Sequence, residues 1–177
     1  MILQQLIAKM ATERNEYDFY PTPVTVVDSL FKHINRSKVQ SFLEPCRADG
    51  VIYNRVNCCI KTYCEIREEI PKDYLKRTMG KFDLIVTNPP FSIAEEFLRK
   101  SIKECDEKGC VAYLLRINFL GSQKRKKLWQ EIGTPNKFIV LSKRPSFTGK
   151  GTDSTEYAWF IWDKGDIINL PNGIHIE

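Results

Sequence analysis

The eleven residues Lys81-Phe82-Asp83-Leu84-Ile85-Val86-Thr87-Asn88-Pro89-Pro90-Phe91 decide how this chain folds. Lys81 to Val86 carries the short apolar run of a strand buried on both faces. Thr87-Asn88-Pro89-Pro90-Phe91 closes it, because proline has no N–H to give to a ladder and two in succession stop the strand. Just beyond, Ser92 is placed to cap a helix in which Ile93, Phe97, Leu98 and Ile102 line one side. Strand, stop and helix in that order make a βα unit.

The pattern extends in both directions. Upstream, Thr22 to Asn35 spaces Val26, Val27, Leu30, Phe31 and Ile34 at helical intervals, with Thr22 as N-cap and Pro23 at the first helical position. Ser41-Phe42-Leu43 and Lys61-Thr62-Tyr63-Cys64 read as strands that end in Glu44 to Gly50 and in Glu65. Downstream, Cys110 to Leu115 reads as a buried strand, Gly121 to Ile132 as a basic helix, Phe138 to Leu141 as a strand and Tyr157 to Trp162 as the last one. Trp159, Phe160 and Trp162 fit a core better than a base-stacking platform. Alternating strands and helices predict an α/β fold, a mostly parallel sheet with helices on both faces and ligands at the carboxyl ends of the strands. Glu44, Glu65 and Asn88 all follow predicted strand ends.

Composition agrees with one folded domain over residues 1–177: 42% of residues are apolar and 28% charged. A chain of this length buries roughly 70% of its unfolded surface and needs no staples. No run approaches the roughly 18 apolar residues of a membrane span, and Met1 to Leu6 turns polar too soon for a leader, so a cytoplasmic location is expected. Cys46, Cys58, Cys59, Cys64, Cys105 and Cys110 form no Cys-x-x-Cys pair, and His33 and His175 are the two histidines. That pattern predicts reduced thiols and no metal. The net charge is +5, but Gly121 to Lys150 holds eight basic residues against Glu131 alone, a local +7 that leaves the remainder at −2. Such an excess favours a polyanionic partner.

Asn-Pro-Pro-Phe is the most specific signal. At average residue usage, [DN]-P-P-[FY] arises by chance in only about 0.003 of chains this long, so accident is a poor explanation. The residue types suit a planar nitrogen whose lone pair is delocalised into a ring or carbonyl. Such an amine attacks first and loses its proton afterwards, so acceptors help more than a base. The Asn88 side-chain oxygen and the Pro89 carbonyl can both accept from the amine, favour its tetrahedral geometry and stabilise the positive charge developing on nitrogen. Pro89 and Pro90 hold the carbonyls rigid, and Phe91 offers a flat face on which an extruded base stacks.

With these motifs in this order, the sequence resembles amino-group methyltransferases that use S-adenosylmethionine, most closely the small phage-type DNA adenine-N6 methyltransferases. Tyr20-Pro21-Thr22-Pro23 is similar to that family's N-terminal cofactor motif and Glu44-Pro45-Cys46-Arg47-Ala48-Asp49-Gly50 to its cofactor loop. Cys64-Glu65-Ile66 resembles its acidic motif, Lys72-Asp73-Tyr74-Leu75 its adenine-binding segment and Asn88-Pro89-Pro90-Phe91 its catalytic motif. The resemblance implies a Rossmann-like fold with an antiparallel final strand. It also implies methyl transfer to adenine in DNA, with RNA as the alternative acceptor. Thr22 and Glu44 would hold the methionine part of the cofactor, Glu65 the ribose hydroxyls and Asp73 the cofactor's adenine, with Tyr20, Cys46, Asp49 and Gly50 beside them. Independently, Glu65 follows Glu44 by about 20 residues, the offset of ribose-binding acids in doubly wound folds.

One position departs from the family. Ala48 stands where the loop usually has glycine, so either it keeps a negative φ or its methyl group crowds the cofactor. That departure leaves room for a binding module, a silent cofactor sensor or partner subunit, and a homodimer is open. Lys143 to Asp153 reads as a substrate loop in which Lys143 and Arg144 meet phosphates and Phe147 packs on the base opposite Phe91, with Lys124 adding attraction from the basic helix. No stretch is long enough for a separate target-recognition domain.

Overall fold

The structure is a computed structural model, and it describes residues 20–147 and 151–177. Met1 to Leu6, read above as too polar for a leader, and Thr148, Gly149 and Lys150 of the expected substrate loop lie outside the described residues.

Seven strands form one sheet: β1 (Ser41–Glu44), β2 (Ile60–Tyr63), β3 (Phe82–Thr87), β4 (Cys105–Arg116), β5 (Lys137–Val140), β6 (Tyr157–Asp163) and β7 (Gly173–Ile176). Their order is β2-β1-β3-β4-β6-β5-β7, and β6 is the strand that runs against its neighbours, pairing antiparallel with β4 and β5. The expected Rossmann-like α/β architecture is therefore present. The short strand β7 extends it at the edge, parallel to β5, beyond the strand expected to be last.

Alternation along the central strands decides which face each residue covers. Leu84 and Val86 of β3 join Ala112 and Leu114 of β4 on one face, under Val26, Val27, Leu30 and Phe31 of helix α1 (Val24–Phe31). Trp159 on β6 ties that helix down, its indole N–H within hydrogen-bonding distance of the Val26 carbonyl (3.1 Å) and the Ser29 hydroxyl (3.2 Å). Ile85, Val111, Tyr113 and Leu115 face the other way and pack under α2 (Ala94–Glu104) and α3 (Lys126–Ile132) through Phe97, Leu98 and Leu128. Trp159, Phe160 and Trp162 are all buried, as core residues should be.

Several local expectations need correction. Thr22 is not the cap of α1: the N-cap is Pro23, with no side-chain cap, and the Thr22 hydroxyl is bonded elsewhere. Nor does Ser92 cap α2, because a 3-10 turn over Phe91–Ile93 precedes the helix and the N-cap is Ile93. The basic helix is shorter than read, a 3-10 turn at Gln123–Arg125 leading into α3. Helices do not alternate with every strand; short 3-10 turns at Tyr53–Arg55 and Tyr74–Lys76 stand between β1 and β2 and between β2 and β3. Strand β4 begins five residues earlier than read. Its ladder with β3 jumps from Phe82↔Cys105 to Leu84↔Cys110, a bulge that ends at Gly109, where a Cβ would come within 2.9 Å of the Phe82 carbonyl oxygen.

The chain leaves β1 toward β2 and then returns to place β3 on the other side of β1. That reversal opens a crevice at the carboxyl ends of β1 and β3, the position at which open α/β sheets bind ligands. Glu44 ends one of these strands and Asn88 follows the other.

Candidate functional site

Asn88 is fixed by the segment that leads into α1. Its Nδ2 donates to the Tyr20 carbonyl at 3.2 Å and to the Thr22 hydroxyl at 3.1 Å, while its Oδ1 is buried with no hydrogen-bond partner among the described residues. A buried carboxamide oxygen without a partner costs about 1–3 kcal/mol, so this atom is an acceptor held in reserve. Asn88 lines a cavity of about 430 Å³. The cavity wall brings together Tyr20, Cys46, Ala48, Glu65, Asp73 and Asn88, six positions singled out in the sequence. Pro90 also lines it, and Pro89 is buried beside it. Thr22, Glu44, Asp49 and Gly50 do not line it.

The loop after β1 is held against Glu65. Glu65 Oε2 accepts from the Ala48 N–H at 2.7 Å, and Oε1 accepts from the backbone N–H of Arg67 at 3.0 Å and its Nε at 2.8 Å. A pair of hydroxyls would have to share these oxygens with Arg67. Ala48 has φ +52°, so the alternative of a negative φ is wrong: the residue adopts the left-handed conformation that glycine favours, and it lines the cavity. Burial pushes the Cys46 thiol up to about 12, with Glu65 and Glu44 adding to the effect, so it is a neutral wall rather than a nucleophile. Glu44 is also buried, with Oε2 lacking a partner, and burial holds its carboxyl well above the usual carboxylate range. Asp73 caps the turn before β3, its carboxylate accepting from the Leu75 N–H at 3.0 Å and pairing with Lys76.

Aromatic residues gather on the other side of Asn88. The Tyr20 ring lies nearly parallel to Phe91 at 6.1 Å and edge-on to Phe147 at the same distance, and Tyr157 contacts both Phe91 and Phe147. Tyr20 and Tyr157 thus each meet both Phe91 and Phe147, neither of which lines the Asn88 cavity. Sequence reasoning missed Arg116, at the end of β4. Its guanidinium sits 5.2 Å from the Phe91 ring centre, and its Nε donates to the Tyr157 hydroxyl at 2.9 Å. Asp153 accepts from that hydroxyl at 2.8 Å and pairs with Arg116, anchoring the loop that contains Phe147. A single cation at a strand end carries no pattern, so nothing in the sequence marked it.

The basic residues divide. Lys143 and Arg144 are exposed and line a second cavity of about 530 Å³ between α1 and the loop after β5, apart from the Asn88 cavity. Lys124 is exposed on the turn before α3. Lys137 is not a surface charge at all: it is buried, its Nζ bonded to Asp163 at 2.6 Å and to the Ile168 carbonyl at 2.9 Å.

No protein-family model matches the sequence, and no curated protein matches it either. Solved structures do resemble the fold. A candidate class I S-adenosylmethionine-dependent methyltransferase from Listeria monocytogenes superposes with a TM-score of 0.66 at 14% identity, over 98% of this chain and 70% of that one. The M protein of the type I restriction enzyme EcoKI gives 0.65 at 11% identity, over 98% and 51%. A modification subunit of a candidate type I restriction enzyme from Vibrio vulnificus YJ016 gives 0.60 at 17% identity, over 92% and 48%. The chain thus has the Rossmann-like fold of class I methyltransferases, and it spans about half the length of the two restriction subunits.

Proposed function

We propose that this chain transfers a methyl group from S-adenosylmethionine to the exocyclic N6 amino group of adenine in DNA, with the base extruded toward Asn88. The observation that carries the reading is Asn88 in the wall of a cavity that Glu65 and Asp73 also line, with its buried Oδ1 unpartnered among the described residues. The restriction-modification proteins among the similar folds support DNA as the polymer.

The residues present suit this cofactor. An adenosine needs a carboxylate for its hydroxyls, an acceptor for its amino group and apolar walls for its ring; Glu65, Asp73 and the Ile66, Leu75 and Phe97 side chains supply these. Glu44 lies outside the cavity lining, so contact with the cofactor's ammonium would require its buried Oε2 to be uncovered. When bound, the cofactor supplies a methyl group on a sulfonium centre. Asn88 Oδ1 accepts from the adenine amine and stabilises the charge that grows on its nitrogen, with the Pro89 carbonyl as the second acceptor. Phe91 and Phe147 form the stacking surface for the base, and the Tyr20 ring must yield part of its contact with Phe91 to admit it. The Arg116 guanidinium over Phe91 puts positive charge beside this stacking surface, where a backbone phosphate would add attraction.

Incubation with methyl-labelled cofactor and DNA, RNA or protein tests the reading. Label should enter adenine in DNA, and Asn88→Ala should lower turnover at least about 100-fold while cofactor affinity stays within about twofold. Label confined to protein would end the nucleic-acid reading; label confined to RNA would move the acceptor to that polymer. A second reading, a cofactor-binding partner subunit without turnover, is favoured by Ala48 in the cavity wall and by Arg67 on Glu65. Cofactor binding with no transfer to any polymer would support it.

A further inference from the structure

The Asn88 side chain has two faces with opposite chemistry. Its Oδ1 accepts hydrogen bonds and its Nδ2 donates two, yet only an acceptor can help an amine become a nucleophile. A donor turned toward the same nitrogen would compete for the lone pair that must attack. Something in the fold therefore has to choose which face meets the substrate.

We propose that the Tyr20 carbonyl and the Thr22 hydroxyl are the positioning groups that make this choice. The inference rests on Asn88 acting as the amine acceptor. Nδ2 carries two hydrogens and meets two acceptors, Tyr20 O at 3.2 Å and Thr22 Oγ1 at 3.1 Å, so its donors are fully used. Oδ1 is left buried with no partner among the described residues. Turning the amide over would set Oδ1 against the Tyr20 carbonyl, oxygen against oxygen, because a carbonyl cannot donate. It would also aim two donors at the position of the reacting amine.

The local sequence makes the segment a firm support. Pro21 and Pro23 flank Thr22, fixing φ on both sides, and Thr22 is buried at the start of α1. The hydroxyl is used by Asn88 and does not line the cavity, so the structure assigns Thr22 to Asn88 rather than to the cofactor.

Thr22→Val keeps the shape and removes the acceptor, and Thr22→Ser keeps the acceptor. With methyl transfer as the readout, Thr22→Val should lower kcat about tenfold, leave the cofactor dissociation constant within about twofold, and be largely rescued by Thr22→Ser. A raised dissociation constant with unchanged kcat would return Thr22 to the cofactor and overturn the proposal. So would unchanged values for both.

A second readout does not depend on turnover. The Asn88 side-chain amide protons, assigned by their loss in Asn88→Asp, should exchange slowly in the wild type and at least about tenfold faster in Thr22→Val. Equal exchange in the two proteins would overturn the positioning role. If the wild type methylates no polymer but this difference is seen, the acceptor reading of Asn88 fails while the orientation of its amide stands.

Discussion

Replacing Ala48 with glycine probes the backbone of the cofactor loop directly. Ala48 holds φ +52°, a conformation that costs an L-residue with a Cβ about 1–2 kcal/mol relative to the right-handed region. Glycine removes that cost but adds freedom to the unfolded chain, worth about 0.4–1 kcal/mol in the other direction. The net gain is therefore roughly 0–1.5 kcal/mol. At about 2–4 °C per kcal/mol for a chain of this length, thermal unfolding should shift upward by no more than about 6 °C. The Ala48 N–H bond to Glu65 at 2.7 Å is made by backbone and survives the change. Ala48 lines the cavity, so losing its methyl group should let S-adenosylmethionine bind more tightly. Scanning calorimetry gives the first quantity and titration calorimetry the second. A fall of more than about 3 °C would mean that the loop is not in the left-handed region, and the account of this residue would be wrong.

Two further expectations concern buried charge. Burial raises the Glu44 carboxyl well above its ordinary value of 4.5, so the folded protein keeps this proton to higher pH than the unfolded chain does. Stability from this group is thus lost as pH rises from about 4.5 through the folded value, and Glu44→Gln should be more stable than wild type near neutral pH, with the difference closing as pH falls toward about 4; a difference that stays constant across thermal melts in that range would refute it. Lys137→Met leaves the Asp163 carboxylate buried with only the Ile167 and Ile168 N–H groups for company, and should cost about 3–5 kcal/mol, a drop of roughly 10 °C or more in thermal midpoint. A loss below about 1 kcal/mol would show that the pair contributes little.

The parts of this fold that were legible are those where one residue type has one structural use. The apolar run of β3 and its double-proline stop could hardly be read otherwise, and Asn88 and Pro90 of that stop line a cavity. The errors fall where a side chain has several uses. Thr22 precedes a helix and looked like its cap, but the hydroxyl is used by Asn88, a partner 66 residues away. Lys137 counted toward a basic surface, yet its charge is buried and matched by Asp163. Arg125 likewise pairs with Glu95 and lies over Phe119, so the outward charge of that region is smaller than its sequence suggests. Strand β7 eluded the reading because Gly173 to Ile176 is mostly exposed and has no buried face to impose a pattern. The conformation of Ala48 was also out of reach: its side chain argues against a positive φ, and only the bond from its N–H to Glu65 explains why the loop accepts one.

Tyr20 serves the site twice, once through its main-chain oxygen and once through its ring. Mutation can change the ring but leaves the carbonyl where it is. The reactive amide is therefore insulated from drift at position 20, while the surface offered to an incoming base stays adjustable. A lineage of such proteins is free to explore new targets there without first dismantling its chemistry.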